Sequence, residues 1–359
     1  MKQCNHTFWL SLCSRGSGAD LLVSDRVQHI INFIPNPDIQ CPSLLVLIGN
    51  AAKAVALKEL FSVKRTRLFN IKRGPAEIRL HVDPSSIFGR PLLIADGDLS
   101  ERLRGKVPAD KCHEIRRHPI QGSRREFGLN RIASGIYARL LSPFADVFCF
   151  FCDDLGGFRP VAHHLAAWLE HGNISTISAS TRPRVVLVTE KIPQGVESEK
   201  AARATFLALL SEETNRNLLD QISAIEVIAL FPNGSISVDA RHRSLKERLM
   251  GSSDQIRKNR EEAQLLFSAV HFAALINCAY QQFSNAAEEQ PFDFIRASRT
   301  YNPMSTDFAE HLSNLLKYVK SPADLTRFAA PTIASSLVLD SYPPGAHRMF
   351  VPNKLLVQR

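Results

Sequence analysis

Five nearly continuous apolar runs constrain this chain more than anything else in it: "LLVLI" at 44–48, "PLLIAD" at 91–96, "VFCFFC" at 147–152, "RVVLVT" at 184–189 and "IEVIALF" at 225–231. A strand with one wet face alternates apolar and polar residues, whereas an unbroken run suits a strand covered on both faces, as in the middle of a parallel sheet. Stretches with helical spacing separate the runs. The pattern predicts strands at 44–48, 66–72, 77–83, 92–96, 147–152, 184–189 and 225–231. Helices are expected at 51–62, 125–141, 160–171, 197–218 and 242–250. "IRLHV" at 78–82 does alternate, which suits an antiparallel edge strand. The fold class is therefore α/β, a three-layer and mostly parallel sheet.

From about residue 252 the pattern turns all-helical. Leu266, Val270, Ala273, Ala274 and Tyr280 share one helical face, and Phe308, Leu312, Leu315 and Val319 another. Ser321 before Pro322, with Asp324 three residues after the serine, is a capping-box-like helix start. At the other end, the apolar patch in "MKQCNHTFWLSLC" is cut by Asn5, His6 and Ser11, and "FIPNPDIQCPS" is broken by prolines. The expected organisation is a poorly ordered or linker-like N-terminus at 1–40, an α/β domain at 41–250, a helical domain at 251–350 and a tail at 351–359.

No run approaches the ~18 apolar residues that cross a bilayer, so no transmembrane segment is expected. The seven cysteines are odd in number and scattered over 359 residues, which argues against a secreted disulfide framework and for a cytoplasmic chain. Cys149 and Cys152 form a CxxC, but inside an apolar run with no second pair at ligand spacing, so they read as core thiols. The net charge is +9, and residues 102–131 alone carry nine Lys or Arg against three Asp or Glu. Arg116, Arg117, Arg124 and Arg125 form the candidate basic patch of this loop-like segment. It could hold RNA or another acidic partner; with one aromatic, Phe127, it has little to stack bases on.

The first run passes through Gly49 into a helix, and strand, turn and helix N-terminus together make an anion site. A working phosphate loop, G-x-x-x-x-G-K-[ST], needs the second Gly to wrap a phosphate, the Lys to reach the outer phosphates and the hydroxyl to hold Mg²⁺. Here Ala54, Val55 and Ala56 stand in those three places. Gly49, Asn50, Lys53 and Ala54 remain as candidate phosphate-binding residues, with Lys53 two places early. Asp96, Asp153 and Asp154 end two other core strands and are the candidate metal residues; the paired acids could equally cap the helix that starts near Pro160. Where guanine readers carry N-K-x-D, this chain has Thr189, Glu190, Lys191 and Ile192. Adjacent His163 and His164 make a poor metal pair, and neither G-x-S-x-G nor H-E-x-x-H occurs.

Strand order and motif slots, from "LLVLIGNAAKAVALKEL" through "LLIADGD" and "VFCFFCDDLGGF" to "IEVIALF", resemble a P-loop GTPase-type domain with degenerate motifs over residues 40–250. "DDLGGF", "PFDFIRASRTYNP" and "FAAPTIASSLVLDSYPPGAH" further resemble the N-terminal region of fungal multidomain proteins, some with a downstream patatin-like phospholipase domain. The resemblance implies a P-loop NTPase-like sheet followed by an all-α extension. Its functional implication is a non-catalytic or weakly nucleotide-binding pseudo-GTPase, a regulatory module with a protein partner or a downstream effector domain. The alternatives are an active nucleoside-triphosphate hydrolase with an atypical loop, taking GTP or ATP with Mg²⁺, and a nucleic-acid or acidic-partner binder working through residues 102–131. Lipid hydrolysis is not implied, because no serine elbow is present.

Overall fold

A computed structural model describes residues 6–15, 18–61, 76–99, 114–121, 129–173, 175–176, 178–232, 234–263, 265–285, 290–301 and 307–341. The expected strand at 66–72, Arg124 and Arg125 lie outside these residues. The described chain falls into two units, residues 1–292 and 293–359.

The first unit is built on a sheet whose strands, in chain order, are β1 (Phe8–Arg15), β2 (Gly18–Ser24), β3 (Ser43–Ile48), β4 (Ile78–Val82), β5 (Leu92–Gly97), β6 (Ile115–Pro119), β7 (Val147–Phe151), β8 (Arg184–Thr189) and β9 (Ala224–Ala229). Their order across the sheet is β6-β2-β1-β4-β5-β3-β7-β8-β9. Neighbours from β5 to β9 pair in parallel. Those from β6 to β5 pair antiparallel. The sheet is therefore mixed, which corrects the mostly parallel expectation: an N-terminal hairpin has been added to the outer edge of β4. Phe8, Trp9, Leu10 and Leu12 of that hairpin are buried, and the Trp9 indole donates to the Tyr280 hydroxyl at 2.7 Å. The N-terminus is not linker-like. A hairpin covered on both faces gains too much apolar burial to fray.

Helices cover both faces of the sheet, as the unbroken runs required. Leu45, Leu47, Cys149, Val186 and Ile228 pack with Leu57 and Phe61 of α2 (Ala51–Phe61) and with Leu245 and Leu249 of α6 (Val238–Glu262). On the opposite face, Phe148 and Phe150 meet Trp168 of α4 (Phe158–Leu169) at ring distances of 5.1 and 5.3 Å. Also in this unit are α1 (Arg26–Ile31), α3 (Leu129–Gly135), which continues as a π-helix over Ile136–Leu141, α5 (Val196–Glu213) and α7 (Ala269–Asn285). Burial pushes the Cys149 and Cys152 thiols well up, so the CxxC is inert core.

The expected boundary at 250/251 falls inside α6. That helix continues across the sheet, and Arg260 in its last turn is buried against Asp146 at 2.7 Å. Sequence spacing alone did not show that the second half of α6 and all of α7 belong to the α/β unit. Nor is 102–131 simply a loop: Arg116 and Arg117 lie on edge strand β6, exposed, with Arg116 paired to Glu114 at 3.0 Å.

The second unit, taken by itself, is helical: α8 (Phe294–Tyr301), α9 (Phe308–Leu316), the short α10 (Pro322–Asp324) and α11 (Ala330–Ser341). Ser321 Oγ accepts from Asp324 N at 3.1 Å, and the Asp324 carboxylate accepts from Lys320 N at 3.2 Å. No helix among the described residues is long and apolar enough to cross a membrane.

Candidate functional site

The order in which strands are added across the sheet reverses at β3, which runs parallel to both of its neighbours. The chain proceeds from there to β5 on one side and later to β7 on the other, so the crevice beyond their carboxyl ends is where ligands bind in open α/β sheets. Gly49 and Asn50 follow β3 and lead into α2, while Asp153 and Asp154 follow β7. Gly49 has φ +152, and a Cβ there would lie 2.8 Å from Asp154 Oδ2 and 2.9 Å from Phe151 Cβ. Only glycine lets the two loops approach this closely.

That approach fills the anion site from within. Asp154 Oδ2 accepts from Asn50 N at 2.6 Å and from Lys53 N at 3.0 Å, and Oδ1 accepts from Ala52 N at 2.9 Å. Ala54 N bonds to Asn50 O at 3.0 Å within the helix. Three converging amides at the positive end of a helix dipole are what a phosphate would use. Here a carboxylate from 104 residues away takes them. Asp154 is thus a cap, as its residue type allowed, but for α2; α4 has Gly157 as its N-cap residue and no side-chain cap.

Lys53 does not face the crevice. It is 1% exposed, and its ammonium lies 2.7 Å from Asp96 Oδ1 and donates to Gly97 O at 2.5 Å. Asp96 is 0% exposed, with His81 Nε2 3.8 Å from its other oxygen. The expected phosphate-reaching cation and metal-ordering acid neutralise each other under the loop.

Asp153 turns the other way. It accepts from Thr189 Oγ1 at 3.2 Å and from Glu190 N at 2.7 Å, with Lys191 Nζ at 3.4 Å. Glu190 in turn pairs with Arg241 of α6. The loop after β8, where a guanine base would be read, is closed onto the same strand end by the second acid. Among the described residues no group of three or more His, Cys, Asp or Glu is placed to hold a metal ion. Asp96, Asp153 and Asp154 do not converge, and the hydroxyl that would ligate Mg²⁺ is replaced by Ala56, so these residues do not fit Mg²⁺.

Two outcomes are expected of this arrangement. Asp154→Ala leaves three amides of the helix start unpaired and should cost about 2–3 kcal/mol. Urea unfolding measures the loss, and added sulfate should restore part of it in the variant while moving the parent little. The second concerns His81, whose pKa is lowered chiefly by burial, against the pull of Asp96. The unfolded chain then takes up a proton that the fold does not, so stability is retained above about pH 6.5 and lost as the pH falls through it, by up to about 1.4 kcal/mol per unit. His81→Leu should flatten that slope when urea midpoints are compared across the interval. His118, lowered by burial and by Arg116, acts in the same sense.

With this geometry in place, the chain can be set beside known proteins. What the fold and loop define is an α/β protein whose anion-binding strand–turn–helix is occupied by its own carboxylate. No protein-family model matches the chain. No curated protein matches it either. A solved structure with some likeness is an ADP-ribosylation-factor-like GTP-binding protein, the small COPII coat GTPase of Encephalitozoon cuniculi, in complex with GDP. It is 16% identical, with 67% of this chain and 90% of that chain covered, at a TM-score of 0.32.

Proposed function

We propose that this chain is a pseudo-GTPase: a module on a phosphate-loop scaffold that does not turn over nucleotide and acts in regulation or protein interaction in the cytoplasm. The observation that carries the reading is the Asp154 carboxylate on the amides of Asn50, Ala52 and Lys53. A nucleotide's phosphate would have to displace a tethered anion at high effective concentration, without the lysine, which is held by Asp96, and without a Mg²⁺ ligand. The strand order β4-β5-β3-β7-β8-β9, with β4 antiparallel, supports a GTPase-type scaffold. The output is then a surface: a protein partner, or an effector domain in a longer chain of the fungal multidomain kind. Closing both loops onto β7 keeps that surface in one state.

The test is a titration of the full chain with fluorescent GTP and ATP, with and without Mg²⁺. The expected result is no saturable binding at micromolar nucleotide and no phosphate release. Saturable Mg²⁺-dependent binding with phosphate release, removed by Lys53→Ala or Asp96→Ala in variants whose urea midpoints match the parent, would establish the active-NTPase reading instead.

A further inference from the structure

The two edges of the sheet are finished differently. At β9, side chains from the covering helices take main-chain groups: Glu199 of α5 accepts from Ala229 N at 2.9 Å, and Arg248 of α6 donates to Val227 O at 3.3 Å. At β6, the other end of the strand order, nothing comparable occurs among the described residues. Two bonds flanking the β2–β6 ladder, from Asp25 N to Glu114 O at 3.1 Å and from Ile120 N to Ala19 O at 2.9 Å, fix its phase. Residues of an antiparallel pair alternately turn both main-chain groups toward the partner and away from it. Arg116 and His118 therefore bond to β2, while Ile115, Arg117 and Pro119 face outward. The open row is the N–H and C=O of Ile115 and Arg117 and the C=O of Pro119, whose ring leaves no N–H unpaired.

The strand is held in place, and its own charge is positive. Gln121 N, just past it, donates to Ser284 O of α7 at 2.9 Å, and the His118 ring lies 6.2 Å from that of Tyr280 on the same helix. An edge fixed in this way needs little ordering when another strand joins it. Arg116 is engaged by Glu114, but the exposed Arg117 side chain has no hydrogen bond or ion pair among the described residues. The sequence around it, 102–131, carries nine Lys or Arg against three Asp or Glu. A second copy added here would bring two basic strands together, with like charges opposed. A nucleic acid has phosphates for Arg117 but no alternating donors and acceptors to complete the row.

We propose that β6 is a docking edge for an extended acidic segment of a protein partner, which adds to the sheet as a further strand with an Asp or Glu opposite Arg117. Main-chain bonds to Ile115, Arg117 and Pro119 hold the segment, and the carboxylate at Arg117 selects it. The proposal goes beyond the pseudo-GTPase reading and does not rest on it: β2, β1, β4 and β5 separate β6 from β3, whose loop is the phosphate site.

The probe is a short fluorescein-labelled peptide of alternating Val and Glu, titrated with the full chain and followed by anisotropy. Saturable binding below millimolar is expected at low salt, fading as salt screens the charges, and a Val-Lys peptide should not bind. Arg117→Gln, which leaves the urea midpoint unchanged because the side chain is exposed, should weaken the Glu peptide roughly tenfold. With Glu opposite Arg117, the Glu amides face β6 and the Val amides face away. N-methylating the Glu amides should therefore abolish binding, and N-methylating the Val amides should leave it within about twofold. No binding at millimolar peptide, equal binding of the Lys peptide, indifference to which amides are methylated, or an affinity unmoved by Arg117→Gln would each overturn the proposal. So would a parent chain that sediments as a dimer and becomes monomeric in Arg117→Gln, which gives the edge to a second copy. Tighter binding of an oligouridylate of the same charge, lost in Arg117→Gln, would give it to nucleic acid and overturn the proposal too.

Discussion

Lys53→Met is expected to cost the fold about 3–5 kcal/mol, the range for removing one partner of a buried ion pair. The loss comes from what remains: Asp96, 0% exposed in the middle of the sheet, with the His81 imidazole 3.8 Å away, whose protonated form burial disfavours. Lys53 also donates to Gly97 O, so a backbone acceptor is stripped in the same step. In the double variant Lys53→Met with Asp96→Leu, no uncompensated charge is buried, and most of the loss should return. Urea unfolding of the parent, both single variants and the double variant closes the cycle. A nucleotide-reaching lysine would behave differently: its removal would abolish binding and leave stability nearly intact. A loss below about 1 kcal/mol would show that Lys53 is not the structural ion described above.

Arg260→Met should be comparably severe, at about 3–5 kcal/mol, at the opposite edge of the sheet. This guanidinium is nearly buried and donates to Asp146 Oδ1 at 2.7 Å, Ala145 O at 2.7 Å, Phe144 O at 3.1 Å and Thr181 O at 3.3 Å. Burial lowers its pKa while Asp146 pulls it back, and the planar fork serves a carboxylate and several carbonyls at once. Asp146 keeps Ser253 Oγ at 2.8 Å and Arg90 at 3.9 Å, but neither replaces the guanidinium's close contact with its Oδ1. Arg260→Lys should recover little, because one ammonium cannot span these acceptors. The unfolding midpoint in urea is the readout; a Lys variant as stable as the parent would show that charge alone is needed.

Much of the sheet was legible in the apolar runs. The strand at 184–189 has the expected bounds, and those at 44–48, 92–96 and 147–152 differ from them by one residue at one end. The same runs implied helices on both faces. β1 was missed because Asn5, His6 and Ser11 cut its apolar patch, and its partner β2 was missed with it. The sequence nonetheless carried a signal, Gly-Ser-Gly at 16–18 between two apolar stretches, that favours a hairpin. The extent of α6 was missed for another reason: "GSSDQIRKNREE" is strongly polar, and its two buried serines, the buried Ile256 and Arg260, docked at the sheet edge, show that it belongs there.

The sequence by itself determined that this is an α/β chain, that a strand–turn–helix starts at Gly49, and that Ala54, Val55 and Ala56 remove the groups a phosphate loop needs. Those conclusions rest on residue type and local period, which are written along the chain. It left open whether Asp96, Asp153 and Asp154 form a metal site and where Lys53 reaches. Only the tertiary structure decided both: Asp154 and Asn50 are 104 positions apart and meet because β3 and β7 are neighbours in parallel register. A carboxylate's role depends on which donors surround it, and pairing between distant strands sets that.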